Sequence, residues 1–206
     1  MMDDFVEKFE CYNPKTLLFS DMMCEVLGKP VEELKEFLDM ITWRNVSKND
    51  FVIRPGDMVK HTYYVEKGVL RMYVIDKVGK EHVVQFAPEG WFVTDRQCTY
   101  LNEPSEYFIQ AIEDTQMALV PKDFLRRIMA VYPKIIEKNT FFLNRYIMLY
   151  QRRITLLLSA TAEERYLAFM QTHPNFINRV PLYMLASYLG ITPESLSRVR
   201  NELAKK

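Results

Sequence analysis

Residues 181–203 have the sequence PLYMLASYLGITPESLSRVRNEL, and this stretch decides how the end of the chain folds. Pro181 suits the first turn of a helix, and Gly190 suits a helix end, because glycine adopts left-handed backbone at little cost. Thr192 and Pro193 then predict the cap and first position of another helix. Two short helices joined by a glycine turn form a helix-turn-helix, so we predict helices over 182–189 and 194–203.

The apolar residues of this stretch fit the crossing of two such helices. Ala186 is small where the helices would meet, and four larger apolar side chains fall on the side that faces the crossing: Leu185, Ile191, Leu196 and Val199. The alternative is a helical hairpin that binds no ligand.

The outward face of the second helix carries side chains suited to DNA. Arg198 can donate two parallel hydrogen bonds to guanine, Glu194 can accept one from cytosine, and serines can contact a base or a phosphate. Residues 151–206 also hold eight Lys or Arg against four Asp or Glu, whereas the whole chain has 27 of each. The candidate DNA-binding residues are Thr192, Glu194, Ser195, Ser197, Arg198, Arg200, Asn201 and Lys205.

The composition is that of a folded protein of one large domain or two modest ones, with 206 residues, 49% apolar and 26% charged. The longest stretch without charge, residues 180–193, is too short and too broken by proline to span a bilayer. The N-terminus lacks the layout of a secretory signal, so we expect a cytoplasmic protein without a membrane partner. The three cysteines are far apart and form no CxxC pair, and we predict no metal site.

Glycine spacing predicts a β domain upstream. Gly56, Gly68, Gly79 and Gly90 recur every 11 or 12 residues, a rhythm typical of short antiparallel strands joined by turns. Apolar, β-branched and aromatic runs lie between them, with a polar break at 76–80 that predicts a hairpin. No two glycines are close enough for a dinucleotide-binding or phosphate-binding loop, which excludes enzymes of those types.

A long helix is predicted after this β domain, because neither glycine nor proline occurs between Pro133 and Pro174. Apolar residues there recur at alternating steps of three and four, which is a heptad pattern. A second apolar face could pack on the β domain, so we expect one face there and one on a second copy. The alternative is packing within one chain only. The predicted dimerisation residues are Ile136, Leu143, Ile147, Tyr150, Ile154 and Leu157.

A capping box at 161–164 predicts a new helix near residue 162. We therefore divide the chain into an N-terminal helical segment and β-roll effector-type domain over 1–122, helices including the dimerisation helix over 123–159, and a helix-turn-helix DNA-binding domain over 160–206.

Over about residues 30–204 the chain resembles the Crp/Fnr family of bacterial transcription regulators. The specific matches are Arg54-Pro55-Gly56-Asp57, the segments 63–68 and 89–92, and Glu194-Ser195-Leu196-Ser197-Arg198. The resemblance implies an α+β protein with an antiparallel, jelly-roll-like β-roll of the cyclic-nucleotide-binding type, a long dimerisation helix and an all-α helix-turn-helix. It also implies that Glu194, Ser197 and Arg198 contact the half-site of a two-fold operator, and that RNA polymerase is a further partner.

Two features depart from the family pattern. Only residues 203–206 follow the recognition helix, where the family usually has a β-hairpin wing. In cyclic-nucleotide-binding members a glutamate contacts the ribose, and an arginine and a hydroxyl residue contact the phosphate. This chain aligns Asp95, Ser105 and Glu106 with those positions. A carboxylate there would repel phosphate, so the comparison disfavours cyclic AMP and leaves another effector or none. The candidate effector-binding residues are Trp91, Asp95, Arg96, Glu106 and Tyr107.

Two other classes of protein were weighed. A cupin-like metal enzyme needs histidines one residue apart, whereas His61 is followed by Tyr63 at that spacing, so we predict no enzyme. A ligand-sensing or interaction module that does not bind DNA is the alternative, and salt-dependent binding to duplex DNA would distinguish it. The sequence leaves open which effector, operator and genes are involved, whether transcription rises or falls, and the role of residues 1–28.

Overall fold

The computed structural model describes residues 18–173 and 176–205, which form two compact units. One unit contains residues 18–74 and 84–141, and the other contains residues 75–83 and 142–205. Cys11 lies outside the described residues. Within the two described ranges, no helix is long and apolar enough to cross a membrane.

An antiparallel β-roll, as predicted, forms the centre of the first unit. Its two four-stranded sheets have the strand orders β1-β8-β3-β6 and β2-β7-β4-β5. The strands are β1 (Thr42–Val46), β2 (Phe51–Ile53), β3 (His61–Lys67), β4 (Leu70–Ile75), β5 (Glu81–Ala87), β6 (Phe92–Val93), β7 (Phe108–Ala111) and β8 (Thr115–Pro121). The predicted hairpin break at 76–80 therefore separates β4 from β5.

Four short helices accompany the strands: α1 (Phe19–Leu27), α2 (Val31–Leu38), α3 (Arg96–Leu101) and α4 (Phe124–Val131). Apolar residues of α1, α2 and α4 form one buried cluster with Tyr64 of β3. A second cluster fills the roll and includes Val65, Leu70 and Ile109, each fully buried. Three successive residues of β3 and four of β4 are buried, so both faces of these strands are covered.

The helical part begins with α5 (Ile135–Ser159), a helix of 25 residues that supplies the end of the first unit and continues into the second. It is followed by α6 (Ala162–Thr172), α7 (Leu182–Leu189) and α8 (Pro193–Leu203). The capping box at the start of α6 is present, with Thr161 Oγ1 accepting from the Glu164 N–H and Glu164 Oε2 accepting from the Thr161 N–H. The two predicted domain boundaries, after residues 122 and 159, stay predictions.

Aromatic rings join α6 to α7 in the second unit. The ring of Phe169 lies 5.5 Å from that of Tyr188, 4.9 Å from that of His173 and 6.1 Å from that of Phe176, measured between centroids. Burial favours the neutral imidazole and lowers the pKa of His173 from 6.5 to about 4.

This shift predicts that acid destabilises the fold through His173. The His173 imidazole binds a proton near pH 6.5 in the unfolded chain but only near pH 4 in the folded chain. The free energy of unfolding is therefore highest above pH 6.5 and decreases as the pH falls towards 4. The loss amounts to at most about 3 kcal/mol. Urea unfolding of wild type and His173→Phe between pH 7.5 and 4.5 measures it. The difference between the two free energies of unfolding should change across this range, and a constant difference would contradict the prediction.

Candidate nucleic-acid interface

The turn between α7 and α8 depends on Gly190. Its φ of 66° is in the left-handed region, and the following N–H, from Ile191, donates to the Ala186 carbonyl at 3.0 Å. A Cβ built on Gly190 would lie 2.9 Å from Leu157 Cδ2. The left-handed backbone conformation therefore favours glycine here, as the sequence predicted, and a Cβ would also require the Leu157 side chain to shift.

The start of α8 is capped by Thr192. Its hydroxyl oxygen accepts from the Ser195 N–H at 3.2 Å, and Pro193 occupies the first helical position. Leu196 and Val199 are buried and hold the inner face of the helix against α6 and α7. The predicted helix-turn-helix is therefore formed, with Ile191 half-buried.

The outward face of α8 presents polar side chains to solvent. Glu194, Arg198, Arg200, Asn201 and Lys205 are exposed, whereas Ser195 and Ser197 are half-buried. Within residues 18–173 and 176–205, the Arg198 guanidinium makes no side-chain hydrogen bond or ion pair. Its five N–H donors are thus available to an external acceptor.

Glu194 is a carboxylate at neutral pH. Hydrogen bonds from its own backbone N–H and from the Thr192 hydroxyl lower the pKa of its carboxyl group. An ionised carboxylate is an acceptor only, which matches the exocyclic amine of cytosine. The eight predicted DNA-binding residues lie on one helix and its flanks, and their contacts with DNA stay predictions.

The long helix α5 carries an exposed apolar stripe. Of the predicted dimerisation residues, four have a large exposed fraction and two, Leu143 and Leu157, are half-buried. The exposed fractions are 45% for Ile136, 53% for Ile147, 37% for Tyr150 and 56% for Ile154. A repeating apolar stripe of this kind is typical of a helix that packs on another helix.

The sequence of the chain is similar to those of known proteins. Residues 43–132 match the cyclic nucleotide-binding domain. The Anaerobic regulatory protein of Haemophilus influenzae is 26% identical, over 84% of this chain and 72% of its own length. Electron transport regulator A of Shewanella oneidensis is 27% identical, over 89% of this chain and 77% of its own. The chain is thus similar, over most of its length, to proteins that are named as regulators.

The chain also matches solved structures. FixK2 from Bradyrhizobium japonicum superposes with a TM-score of 0.69 at 20% identity, covering 80% of this chain and 85% of FixK2. The c-di-GMP-responsive regulator CLP from Xanthomonas campestris superposes with a TM-score of 0.66 at 18% identity, covering 85% and 92%. These solved structures share the α+β fold of the chain.

The candidate effector residues lie in different surroundings. Asp95 is 3% exposed and caps α3, where its carboxylate accepts from the Cys98 N–H at 3.2 Å. Arg96 is exposed, and its guanidinium carbon lies 5.2 Å from the centre of the Tyr100 ring. Glu106 is exposed, whereas Trp91 and Tyr107 are half-buried against the roll interior.

Three of these five residues, Asp95, Glu106 and Tyr107, are close enough to interact electrostatically. Burial raises the pKa of the Tyr107 phenol, and the carboxylates of Asp95 and Glu106 raise it further. Ser105, which aligns with the arginine of cyclic-nucleotide binders, is buried, and its hydroxyl accepts from the Tyr107 N–H. The surroundings of Tyr107 are therefore acidic, and effector binding by these residues stays a prediction.

Two functional candidates, Arg153 and Arg165, were not predicted from the sequence. They entered the sequence analysis only as part of the positive charge of residues 151–206. Both side chains bond backbone carbonyls at the end of α7, immediately before the turn. No spacing rule connects residues 35 and 24 positions apart, so only the folded chain could associate them.

Proposed function

We propose that the chain is a Crp/Fnr-type transcription regulator that binds duplex DNA as a homodimer and recognises sequence through α8. The observation that carries the proposal is the outward face of α8, where Glu194 and Arg198 are exposed while Leu196 and Val199 anchor the helix from behind. A helix held on one side and polar on the other suits insertion into a major groove.

The side chains divide into base-contacting and phosphate-contacting groups. Arg198 donates to guanine O6 and N7, Glu194 accepts from cytosine N4, and Ser197 contacts an adjacent base edge. Asn201 lies one turn further along the same face, at the spacing of three residues from Arg198. Arg200, Lys205 and the N-terminal end of α8, with Thr192 and Ser195, face phosphates, which position the protein without selecting a sequence.

The homodimer follows from the exposed stripe of α5. Ile147, Tyr150 and Ile154 would leave water by packing on the same residues of a second copy, as an isologous interface requires. A two-fold dimer binds a two-fold operator whose half-sites are centred about 34–36 Å apart.

We also propose which effectors the roll disfavours, where the protein acts in the cell and which further partner it has. The acidic surroundings of Tyr107 favour an effector other than a cyclic nucleotide, or none. A regulator that binds operators acts in the cytoplasm and engages RNA polymerase, and we propose no catalytic activity. The second candidate function is a ligand-sensing or interaction module that does not bind DNA, for which the cyclic nucleotide-binding domain match is the supporting observation.

Selection of bound duplexes from a random DNA pool at physiological salt tests the proposal. The expected result is enrichment of a two-fold motif, with an affinity that falls as salt rises because bound phosphates release counterions. Absence of both enrichment and salt-dependent binding, with and without extracts of cellular metabolites, would favour the sensing module instead.

Ile154→Asp is expected to dissociate the dimer. The substitution places one charge from each copy in an apolar interface, which should raise the dimer dissociation constant by about 30- to 1,000-fold. Thr155→Asp is the matched control, because Thr155 is also exposed on α5 but lies off the heptad stripe. Sedimentation velocity over a concentration series measures both. Equal dissociation constants for the two variants would contradict the assigned interface.

A further inference from the structure

The C-terminal end of α7 is held by two arginines from different helices. Arg153 Nη2 on α5 donates to the Tyr188 carbonyl at 3.0 Å, and Arg165 Nη1 on α6 donates to the Leu189 carbonyl at 3.2 Å. These two carbonyls are adjacent and directly precede Gly190, where the chain turns into α8. We call Arg153 and Arg165 the arginine clamp.

Each arginine of the clamp also holds a second element. Arg165 donates through Nε to the Ala160 carbonyl at 3.0 Å and through Nη2 to the Leu157 carbonyl at 2.9 Å, at the end of α5. Arg153 Nη2 also donates to the Val83 carbonyl on β5 at 2.9 Å. The clamp therefore ties the turn before the recognition helix to α5 and to the β4–β5 hairpin.

The hairpin side of the clamp is reinforced by Ser187 on α7. Its hydroxyl oxygen accepts from the Val83 N–H at 3.0 Å and donates to the Glu81 carbonyl at 2.9 Å. β5 is the last strand of its sheet, so these backbone groups lie on an edge that α7 covers. Four hydrogen bonds of α7 within residues 75–83 and 142–205 thus hold it on the hairpin and on the end of α5. Two involve the Ser187 side chain, and one each comes from Arg153 and Arg165.

Arginine is the side chain that this geometry requires. A guanidinium is planar and carries five donors, whereas a lysine ammonium is a point charge. Arg165 bonds three carbonyls through its three nitrogens, and Arg153 bonds two carbonyls through Nη2. Its positive charge also complements the negative end of the α7 dipole. Arg153 further lies 4.1 Å from the centre of the Tyr188 ring, a cation–π contact that fixes the plane of the fork.

The turn leaves little freedom beside the clamp. A Cβ on Gly190 would lie 2.9 Å from Leu157 Cδ2 and 3.5 Å from Arg165 Nη1, so the turn packs directly on the end of α5 and on the clamp. Since α8 begins three residues later, its orientation follows that of α5 at this point.

From this geometry we infer that Arg153 and Arg165 are positioning residues that hold the recognition helix in a defined orientation on α5. In the dimer, where α5 pairs with its copy, this orientation sets the distance between the two recognition helices. The clamp therefore selects the spacing between operator half-sites, while Glu194, Ser197 and Arg198 select the bases within each. The inference rests on the proposed function.

The test compares half-site spacing among duplexes selected by wild type, Arg153→Lys and Arg165→Lys. Lysine keeps the charge, but its one nitrogen cannot reach the three carbonyls that Arg165 bonds, and it has no planar group to lie over the Tyr188 ring as Arg153 does. Because α8 is unchanged, both variants should enrich the wild-type half-site. Their preference for the wild-type spacing over spacings one base pair longer or shorter should fall by about 2- to 30-fold. Arg152→Lys is the matched control, because Arg152 is the neighbour of Arg153 on α5 and takes no part in the clamp.

The outcomes separate this inference from the proposed function. Each selection is carried out well below the melting temperature of the variant. If Arg165→Lys does not fold, the spacing preference of Arg153→Lys alone tests the inference. An unchanged spacing preference in a folded clamp variant, an equal change in Arg152→Lys, or failure of both clamp variants to fold would overturn the inference. A wild type that enriches no two-fold motif would instead contradict the proposed function.

Discussion

Replacing Arg198 with alanine is expected to weaken sequence selection strongly while leaving the fold intact. Arg198 is exposed on α8 and supports no contact within the described part of the chain, so its removal should leave the thermal melting temperature nearly unchanged. Loss of a bidentate contact to guanine costs about 1–3 kcal/mol in each half-site, and a dimer loses it twice. Affinity for the selected operator should therefore fall by about 2–6 kcal/mol.

Arg200→Ala is the matched control for Arg198→Ala. Arg200 is also an exposed arginine of α8 but lies at the flank of the base-contacting face. Its loss should weaken binding to all duplexes about equally and reduce the slope of log affinity against log salt by about one per half-site. Titration of a fluorescent operator and a scrambled duplex over a salt series measures both variants. If Arg198→Ala weakened the two duplexes equally, Arg198 would be a phosphate contact.

Gly68→Ala is expected to destabilise the roll strongly. Gly68 follows β3 with a φ of 92°, and a Cβ built on it would lie 2.6 Å from both the Asp114 carbonyl oxygen and Thr115 Oγ1. The Thr115 hydroxyl cannot move away from the new Cβ without breaking hydrogen bonds, because it accepts from the Val69 N–H and donates to the Glu113 carbonyl. Backbone strain and overpacking together should cost about 2–6 kcal/mol of the free energy of unfolding.

Gly79→Ala separates these two contributions. Gly79 has a similar φ of 83°, but a Cβ there would meet nothing within 4 Å. Only the conformational strain remains, at about 1–2 kcal/mol. Thermal and urea unfolding of both variants gives the two free energies. Equal destabilisation by Gly68→Ala and Gly79→Ala would show that the contact with residues 114 and 115 contributes nothing.

Much of the helix-turn-helix could be predicted from the sequence because its determinants are local. The Thr192 cap bonds a backbone group three residues away, and the Gly190 turn is closed by a bond between residues five apart. Such short-range geometry depends on residue type and spacing alone. The same reasoning explains the capping box at Thr161 and the hairpin break at 76–80.

The candidate effector residues show where such reasoning stops. Alignment with cyclic-nucleotide binders predicts that Asp95 contacts an effector. In the fold its carboxylate caps α3. Arg96, the next residue, projects towards the ring of Tyr100. A side chain's role inside the roll depends on which strands and loops surround it, and residue spacing does not contain that information.

The sequence by itself therefore determined the helix-turn-helix, the strand rhythm of the roll, and the chemistry of the α8 face, because each depends on residues within a few positions of one another. Only the tertiary structure decided that Arg153 and Arg165 meet at the end of α7 and that Ser187 bonds the edge of β5, more than a hundred residues away in the chain. Such contacts form only when packing brings distant backbone groups within bonding distance, and a guanidinium that bonds carbonyls carries no pattern in the sequence around it.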